Sequence, residues 1–380
     1  MPTVLINGRV LTAAGFRDDL AVLIDADRIV ALAAASDPRV HAAQTIDLAG
    51  NILLPGFIDC QVNGGGGVLF NDAPTAETIS RIGAAHRRFG TTGFLPTLVS
   101  DDTDVMRAAI AAVDAAIAEG VPGVLGIHLE GPYIAPARRG AHDATKFRAL
   151  DDDELDLICS LRNGTTMLTL APEHVPPDRV RALVARGVIV CIGHTAASYD
   201  QTRAALAAGA CGFTHLYNAM SPLQGREPGV VGAALEDRKS WCGVIVDGHH
   251  VHPASLRIAL AAKPRGKLLL VTDAMPPVGS DIDTYTLAGA TITCRNGRCE
   301  TADGVLAGSA LDMASALRNT VESLGVPLDE AARMASTYAA EFLGVAHSRG
   351  RIAPGFHADL VEIGADFGVR RTWIGGSASA

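Results

Sequence analysis

Four ionisable side chains follow apolar segments of the sequence, where a charged group needs a partner. They are Glu130 in Ile127-His128-Leu129-Glu130, His194 in Val190-Cys191-Ile192-Gly193-His194, His215 in Phe213-Thr214-His215 and Asp273 in Leu270-Val271-Thr272-Asp273. A single histidine on an apolar strand is commonly a hydrogen-bonded core residue, and an aspartate after a strand commonly caps a helix. Four such groups in one place are harder to explain in this way, because burying them together is costly unless a cation or a proton compensates them. We therefore predict a metal site.

The donor atoms of these residues indicate the chemistry. Glu130, His194 and His215 offer one oxygen and two nitrogens, the set typical of catalytic zinc sites that keep one position open for water. A metal lowers the pKa of its water toward neutrality, and a carboxylate beside it, here Asp273, accepts the proton and returns it to a leaving group. The four residues predict metal-assisted hydrolysis.

Eight short apolar runs alternate with alanine-rich segments of helical period, which favours a parallel sheet built from βα units. The runs are Phe57–Asn63, Gly93–Val99, Val124–Glu130, Met167–Ala171, Val188–His194, Gly212–Tyr217, Gly243–Val246 and Lys267–Asp273. Eight such units favour a closed (β/α)8 TIM-like barrel, whose active site lies at the carboxyl ends of the strands. Residues 284–308 interrupt the last unit with a hairpin predicted at Asn296-Gly297.

Short strands with turn residues occupy both ends of the chain, including a predicted hairpin turn at Asn7-Gly8. The predicted fold class is therefore α/β, a (β/α)8 barrel with a small β-sandwich domain formed from both chain termini. We predict residues 1–53 and 347–380 as the two parts of the sandwich and residues 54–346 as the hydrolase barrel.

Composition and charge limit the classes of binding partner that we expect for this chain. The chain has 32 Lys+Arg against 41 Asp+Glu, a net charge of −9, with no basic tract, so we expect no binding to nucleic acid or to a membrane surface. The seven cysteines are scattered without a C-x-x-C pair and are predicted to be reduced thiols. Because the first residues also lack a signal-peptide pattern and no apolar run reaches membrane-spanning length, we expect a cytoplasmic protein.

Five motifs together resemble those of the N-acetylglucosamine-6-phosphate deacetylases of the amidohydrolase superfamily. They are Pro55-Gly56-Phe57-Ile58-Asp59, His128-Leu129-Glu130-Gly131-Pro132, Gly193-His194-Thr195, Thr214-His215-Leu216-Tyr217-Asn218-Ala219-Met220 and Val271-Thr272-Asp273-Ala274-Met275. The resemblance spans nearly the whole chain and includes the split β domain.

The resemblance implies a role for each matching residue. Glu130, His194 and His215 would hold the metal, Asp273 would be the catalytic acid/base, and His142 would bind near the acetamide and stabilise the oxyanion. The residues implied in substrate binding are Gln61, Asn63, His142, Asn218, the backbone N–H of Ala219, Arg226 and His250. Arg226 would bind phosphate, in its own subunit's site or across the interface of a homodimer.

Gln61-Val62-Asn63 stands where many amidohydrolases carry His-x-His for a second metal. Neutral amides are poor substitutes for imidazoles, so we predict one divalent metal per subunit, Zn²⁺ first, with Fe²⁺ or another divalent ion as alternatives.

The predicted reaction is hydrolysis of N-acetylglucosamine 6-phosphate, a phosphorylated amino sugar, to glucosamine 6-phosphate and acetate. Alternatives are the galactosamine epimer as substrate, a cyclic-amide amidohydrolase activity, or a non-catalytic amidohydrolase-like scaffold. The two-metal, modified-lysine arrangement of cyclic-amide hydrolases is disfavoured because Glu130 occupies the matching strand end. The scaffold is disfavoured because all four reactive groups are present.

Overall fold

The computed structural model describes residues 2–379, in which short strands and helices alternate through the middle of the chain. The strands are β1 (Thr3–Ile6), β2 (Arg9–Thr12), β3 (Gly15–Arg17), β4 (Ala21–Asp25), β5 (Arg28–Ala33), β6 (Gln44–Asp47), β7 (Ile52–Pro55), β8 (Phe57–Val62), β9 (Gly64–Gly65), β10 (Val68–Leu69), β11 (Thr91–Val99), β12 (Gly126–Glu130), β13 (Thr165–Leu170), β14 (Ile189–Ile192), β15 (Gly212–Phe213), β16 (Trp241–Val244), β17 (Leu268–Leu270), β18 (Thr284–Leu287), β19 (Ala290–Arg295), β20 (Arg298–Glu300), β21 (Leu306–Ser309), β22 (Leu360–Ile363), β23 (Val369–Ile374) and β24 (Ser377–Ala378). The helices are α1 (Pro38–His41), α2 (Ala76–Arg87), α3 (Thr103–Ala118), α4 (Asp152–Ile158), α5 (Pro177–Ala185), α6 (Tyr199–Ala207), α7 (Gly229–Glu236), α8 (Pro253–Ala262), α9 (Met313–Leu324), α10 (Leu328–Ala335) and α11 (Thr337–Phe342).

Eight parallel strands, β8 and β11 to β17, form the barrel, and each pairs with the next along the chain. A bridge between Val62 and Ala274 brings the first and last strands together, and the N–H of Asp273 donates to the carbonyl of Gln61 at 3.0 Å. The predicted barrel class is confirmed. Within residues 2–379, the helices are all too short or too polar to cross a bilayer.

Both chain ends contribute to the small β domain, as predicted. One sheet has the order β5-β4-β1-β6, and a second, β24-β23-β22-β7-β2-β3, joins strands from the two ends. Side chains alternate across the second sheet because strand side chains have a period of two. Leu53 and Leu360 pack into the core between the sheets, whereas Leu54 and Val361 belong to the barrel core. Strand β7 crosses the predicted boundary at residue 53, so the precise domain limits stay a prediction.

The predicted hairpin at Asn7-Gly8 is wrong, although Asn7 does adopt a turn conformation with φ 56°. Strand β1 pairs with β4 and β6, whereas β2 pairs with β3 and β7. The turn therefore carries the chain from one sheet of the sandwich to the other, so that Leu5 of β1 and Val10 of β2 both pack into the core between the sheets.

A four-stranded antiparallel sheet, β18-β19-β20-β21, interrupts the last βα unit. Its central hairpin turns at Asn296-Gly297, as predicted, which places Cys294 directly opposite Cys299. These two residues form a disulfide, with Cα atoms 4.0 Å apart, so the prediction that all seven cysteines are reduced is wrong for this pair. We call β18 to β21 the inserted sheet.

Candidate active site

The four predicted residues come together at the carboxyl ends of the barrel strands. Glu130 is the last residue of β12, and His194, His215 and Asp273 follow β14, β15 and β17 within three residues. The last three have positive φ values of 48°, 33° and 54°. L-residues with such φ values are held there at a cost of order 1–3 kcal/mol each, and they concentrate at functional sites.

Glu130, His194 and His215 form a compact cluster that could hold a metal ion. Oε1 of Glu130 lies 3.1 Å from Nε2 of His194 and 3.0 Å from Nε2 of His215, and the two Nε2 atoms are 3.0 Å apart. Ligands of a tetrahedral zinc ion with bonds of about 2.0–2.1 Å stand about 3.3 Å from one another. The three donor atoms therefore converge as the ligands of one cation do.

The hydrogen bonding of His194 fits this role. Its Nδ1 lies 2.9 Å from the carbonyl oxygen of Arg138, and a carbonyl only accepts hydrogen bonds, so Nδ1 carries the proton. In the neutral ring, the form that binds a metal, the lone pair is therefore on Nε2, which faces Glu130 and His215. A second hydrogen bond of this kind commonly fixes the tautomer and orientation of a metal-binding histidine.

Burial and charge set the protonation of the cluster. Burial opposes the negative charge of Glu130, but hydrogen bonds to His194 and His215 and their charges outweigh it and hold its pKa well below the usual range. Burial and the negative charge of Glu130 raise the pKa of Asp273 to about 6, although His215, His250 and Asn63 oppose this. A carboxyl group that titrates close to neutral pH is suited to accept and donate a proton in one reaction cycle.

Two amides hold the carboxylate of Asp273. Its Oδ1 accepts hydrogen bonds from Nδ2 of Asn63 at 2.6 Å and from Nε2 of Gln61 at 3.0 Å. The same Gln61 nitrogen lies 3.2 Å from both oxygens of Glu130. Gln61 thus connects the two carboxylates, whereas Asn63 contacts Asp273 alone. A direct contact of either amide with substrate stays a prediction.

A pocket of about 360 Å³ opens above the cluster. Besides the four predicted residues, His142, Asn218, Ala219 and His250 line it, so the structure brings together most of the predicted substrate-binding residues. Arg226 lies instead on the exposed segment 222–227 and is not among the residues that line the pocket.

The histidines of the pocket are fixed by neighbouring polar groups. Nδ1 of His142 lies 2.9 Å from the hydroxyl of Ser100, and burial, followed by the charge of His194, lowers the pKa of His142 to about 3. The neutral ring can donate a hydrogen bond through only one nitrogen. His250 bonds Asp247 through Nδ1 at 2.6 Å.

His128, next to the cluster along β12, has both ring nitrogens in hydrogen bonds. Nδ1 is 3.1 Å from the hydroxyl of Thr97, and Nε2 is 2.8 Å from the hydroxyl of Thr169. Burial lowers the pKa of His128 to about 4. The residue thus joins three neighbouring strands below the site.

Sequence reasoning missed several residues that line the pocket or support its lining. Ser100, which bonds His142 and the carbonyl of Glu130, follows β11 directly, so the rule that strand ends carry the site could have found it. Leu287 and Leu306 of the inserted sheet line the pocket, as does Val305 in the connection just before β21. Nothing in their local sequence distinguishes them from other apolar strand residues.

A (β/α)8 barrel with a buried Glu-His-His cluster and a neighbouring aspartate at its mouth defines a metal-dependent hydrolase class. The chain belongs to the amidohydrolase family, whose sequence model matches residues 52–378. The similarity expected from the motifs is also confirmed by individual relatives.

Among these, the N-acetylgalactosamine-6-phosphate deacetylase of Shewanella sp. (strain ANA-3) is 45% identical over 87% of this chain and 83% of its own length. The N-acetylglucosamine-6-phosphate deacetylase of Haemophilus influenzae is 35% identical over 99% of both chains. The crystal structure of N-acetylglucosamine-6-phosphate deacetylase from Pasteurella multocida superposes with a TM-score of 0.97 at 36% identity, covering 100% of both chains.

Proposed function

We propose that this chain hydrolyses the acetamide of N-acetylglucosamine 6-phosphate, giving glucosamine 6-phosphate and acetate. The observation that carries the proposal is the convergence of Glu130, His194, His215 and Asp273 at one mouth of the barrel. The names of the relatives from Haemophilus influenzae and Pasteurella multocida support the substrate.

Glu130, His194 and His215 would hold one divalent ion per subunit, Zn²⁺ first, with Fe²⁺ or another divalent ion as alternatives, because two imidazoles and a carboxylate accept several such ions. When bound, such an ion polarises an amide carbonyl and lowers the pKa of water. The proposed ligand set leaves Asp273 free for proton transfer.

Asp273 performs the proton transfers of the proposed reaction. With Asn63 and Gln61 holding Oδ1, the carboxylate accepts a proton from the attacking water. It then donates that proton to the amide nitrogen as the C–N bond breaks, so that acetate and the free amine leave. The neutral ring of His142, held by Ser100, donates a hydrogen bond to the developing oxyanion.

The remaining predicted residues would hold the sugar phosphate. Asn218, the N–H of Ala219 and His250 lie along the same pocket, and Arg226 would supply the cation for phosphate. Since Arg226 lies on an exposed segment outside its own pocket, we propose that it acts in the site of the other subunit of a homodimer. A cytoplasmic location is part of the same proposal.

The galactosamine epimer is the second candidate substrate. The relative that shares 45% identity bears the name N-acetylgalactosamine-6-phosphate deacetylase, as does the Escherichia coli O157:H7 relative, which is 38% identical over the full length of both chains.

Acetate release from both epimers by the metal-loaded protein tests the proposal. We expect turnover of N-acetylglucosamine 6-phosphate, its loss after chelation and its recovery with Zn²⁺. Asp273→Asn should lower kcat at least 100-fold and retain the metal, whereas Asp281→Asn, at an exposed carboxylate of the same connection, should not change kcat. Full activity of Asp273→Asn would refute the proton-transfer role, and a larger kcat/KM for the galactosamine epimer would favour the second candidate.

A further inference from the structure

The backbone that carries Asp273 is held from two sides. On the side of β8, the N–H of Asp273 donates to the carbonyl of Gln61 at 3.0 Å. The carbonyl of Ala274 accepts from the N–H groups of Asn63 and Gly64, both at 2.9 Å. The first barrel strand therefore binds one edge of the segment Thr272–Met275.

The opposite edge is bound by one residue, Ser309, the last residue of β21. Its hydroxyl donates to the carbonyl of Thr272 at 2.6 Å, its N–H donates to the carbonyl of Asp273 at 2.9 Å, and its carbonyl accepts from the N–H of Met275 at 3.0 Å. Ser309 is fully buried. Ser309 thus holds this side of the segment through three hydrogen bonds, two that it donates and one that it accepts.

Gly308 allows the close approach that these bonds require. It has φ +62°, and a Cβ atom at this position would lie 2.5 Å from Cγ of Met275 and 2.9 Å from the carbonyl oxygen of Asp273. The chain of the inserted sheet therefore packs directly against the backbone of Asp273, with no room for a side chain.

We propose that Ser309 is a positioning residue for Asp273, so that the inserted sheet completes the active site as well as lining it. Asp273 has a positive φ of 54°, a conformation that persists only where the surroundings impose it. Ser309 imposes it from one side and Gln61 from the other. Displacing a catalytic group by about 1 Å costs on the order of 100-fold in rate. The inference rests on the proposed role of Asp273 as the proton-transfer group.

Ser309→Ala removes the hydroxyl and leaves the two backbone bonds of residue 309 in place. Because the carboxylate moves relative to the bound amide while the sugar contacts remain, we expect kcat for acetate release to fall about tenfold, with KM changed less than twofold. Ser309→Thr, which keeps the hydroxyl, should recover most of kcat. Metal content, measured on the same preparations, should be unchanged.

Ser336→Ala is the matched control. Ser336 is equally buried, and its hydroxyl also donates to a backbone carbonyl at 2.6 Å, that of Ala332. Both variants lose a hydrogen bond from a buried hydroxyl to a backbone carbonyl, and Ser309→Ala also loses the bond that this hydroxyl accepts from the N–H of Leu311 at 3.0 Å. Both should therefore lower the melting temperature, Ser309→Ala by more, but only Ser309→Ala should lower kcat. A Ser309→Ala kcat within twofold of that of Ser336→Ala would overturn the proposal.

Two further variants keep the outcome decisive. If Ser309→Ala does not fold, Gly308→Ala provides the test, because it keeps the Ser309 hydroxyl and displaces the chain against Met275 and Asp273. The kcat of Gly308→Ala should then fall while KM is preserved. An unchanged kcat would overturn the proposal. Full activity of Asp273→Asn would instead refute the proposed function itself, whatever the Ser309 variants do.

Discussion

Asp59→Asn tests the electrostatics of the barrel interior below the active site. Asp59 lies on β8 and is fully buried. Its Oδ2 accepts from the hydroxyl of Thr272 at 2.5 Å, and its Oδ1 accepts from the N–H of Gln61 at 3.2 Å. Burial raises the pKa of Asp59 from 3.8 to about 7, against the opposing effect of these hydrogen bonds. The folded protein therefore holds a proton that the unfolded chain releases near pH 4.

The sign and size of the effect follow from linkage. A carboxyl group with a raised pKa in the folded state contributes stability at low pH, and this contribution is lost as the pH rises to the folded-state pKa. At about 1.4 kcal/mol per pKa unit, less the part that remains at the folded-state pKa, the loss between pH 5 and pH 7 is about 2 kcal/mol. Asparagine cannot ionise, so the variant should not show this decrease.

Urea unfolding of the metal-loaded protein, followed by tryptophan fluorescence at pH 5, 6, 7 and 8, measures the difference. The free energy of unfolding of the wild type, minus that of Asp59→Asn, should fall by about 2 kcal/mol from pH 5 to pH 7 and level off by pH 8. Asp281→Asn, at an exposed position, is the control. Parallel pH curves for wild type and Asp59→Asn would refute the assignment of a raised pKa to this carboxyl group.

Three other substitutions test separate parts of the structure. Arg226→Ala should lower kcat/KM for the phosphorylated sugar about 10- to 100-fold, the value of a charged hydrogen bond, but not for the unphosphorylated analogue; equal losses in acetate release would contradict phosphate binding. His128→Ala removes a buried ring that bonds two threonine hydroxyls. It should reduce the free energy of unfolding in urea by about 2–3 kcal/mol, whereas a loss under about 1 kcal/mol would show that this network adds little. Cys294→Ser opens a disulfide that closes a short loop to Cys299 and should cost about 2 kcal/mol in urea unfolding without reductant, with no difference from wild type once reductant is added.

The barrel and the centre of its site were predictable because they depend on local patterns. Apolar runs locate the strands, and in a parallel barrel every strand delivers its final residues to the same mouth. Glu130, His194, His215 and Asp273 therefore could be placed together before their distances were known. Neighbouring strands of the barrel are also consecutive barrel strands along the chain, so their order in the sheet could be predicted from the sequence.

Contacts that depend on non-local pairing were beyond the sequence. Asn7-Gly8 indicates a turn, but which strands pair on either side is decided by the rest of the sandwich. The three bonds of Ser309 to the segment around Asp273 have no counterpart in local spacing. The Cys294–Cys299 disulfide is different, because a hairpin that turns at Asn296-Gly297 places these two cysteines opposite each other on paired strands. The predicted turn and the cysteine positions, considered together, would have predicted this disulfide.

The sheet that joins the two chain ends has a consequence for biosynthesis. Strand β7 pairs with β2 on one edge and with β22 on the other, and nearly the entire barrel is translated between β7 and β22. While the nascent chain grows, the apolar strand Ile52–Pro55 therefore keeps one unpaired edge, which is a template for association with other chains. Chaperones or the collapsing barrel must therefore shield this edge until the ribosome has synthesised Leu360–Ile363.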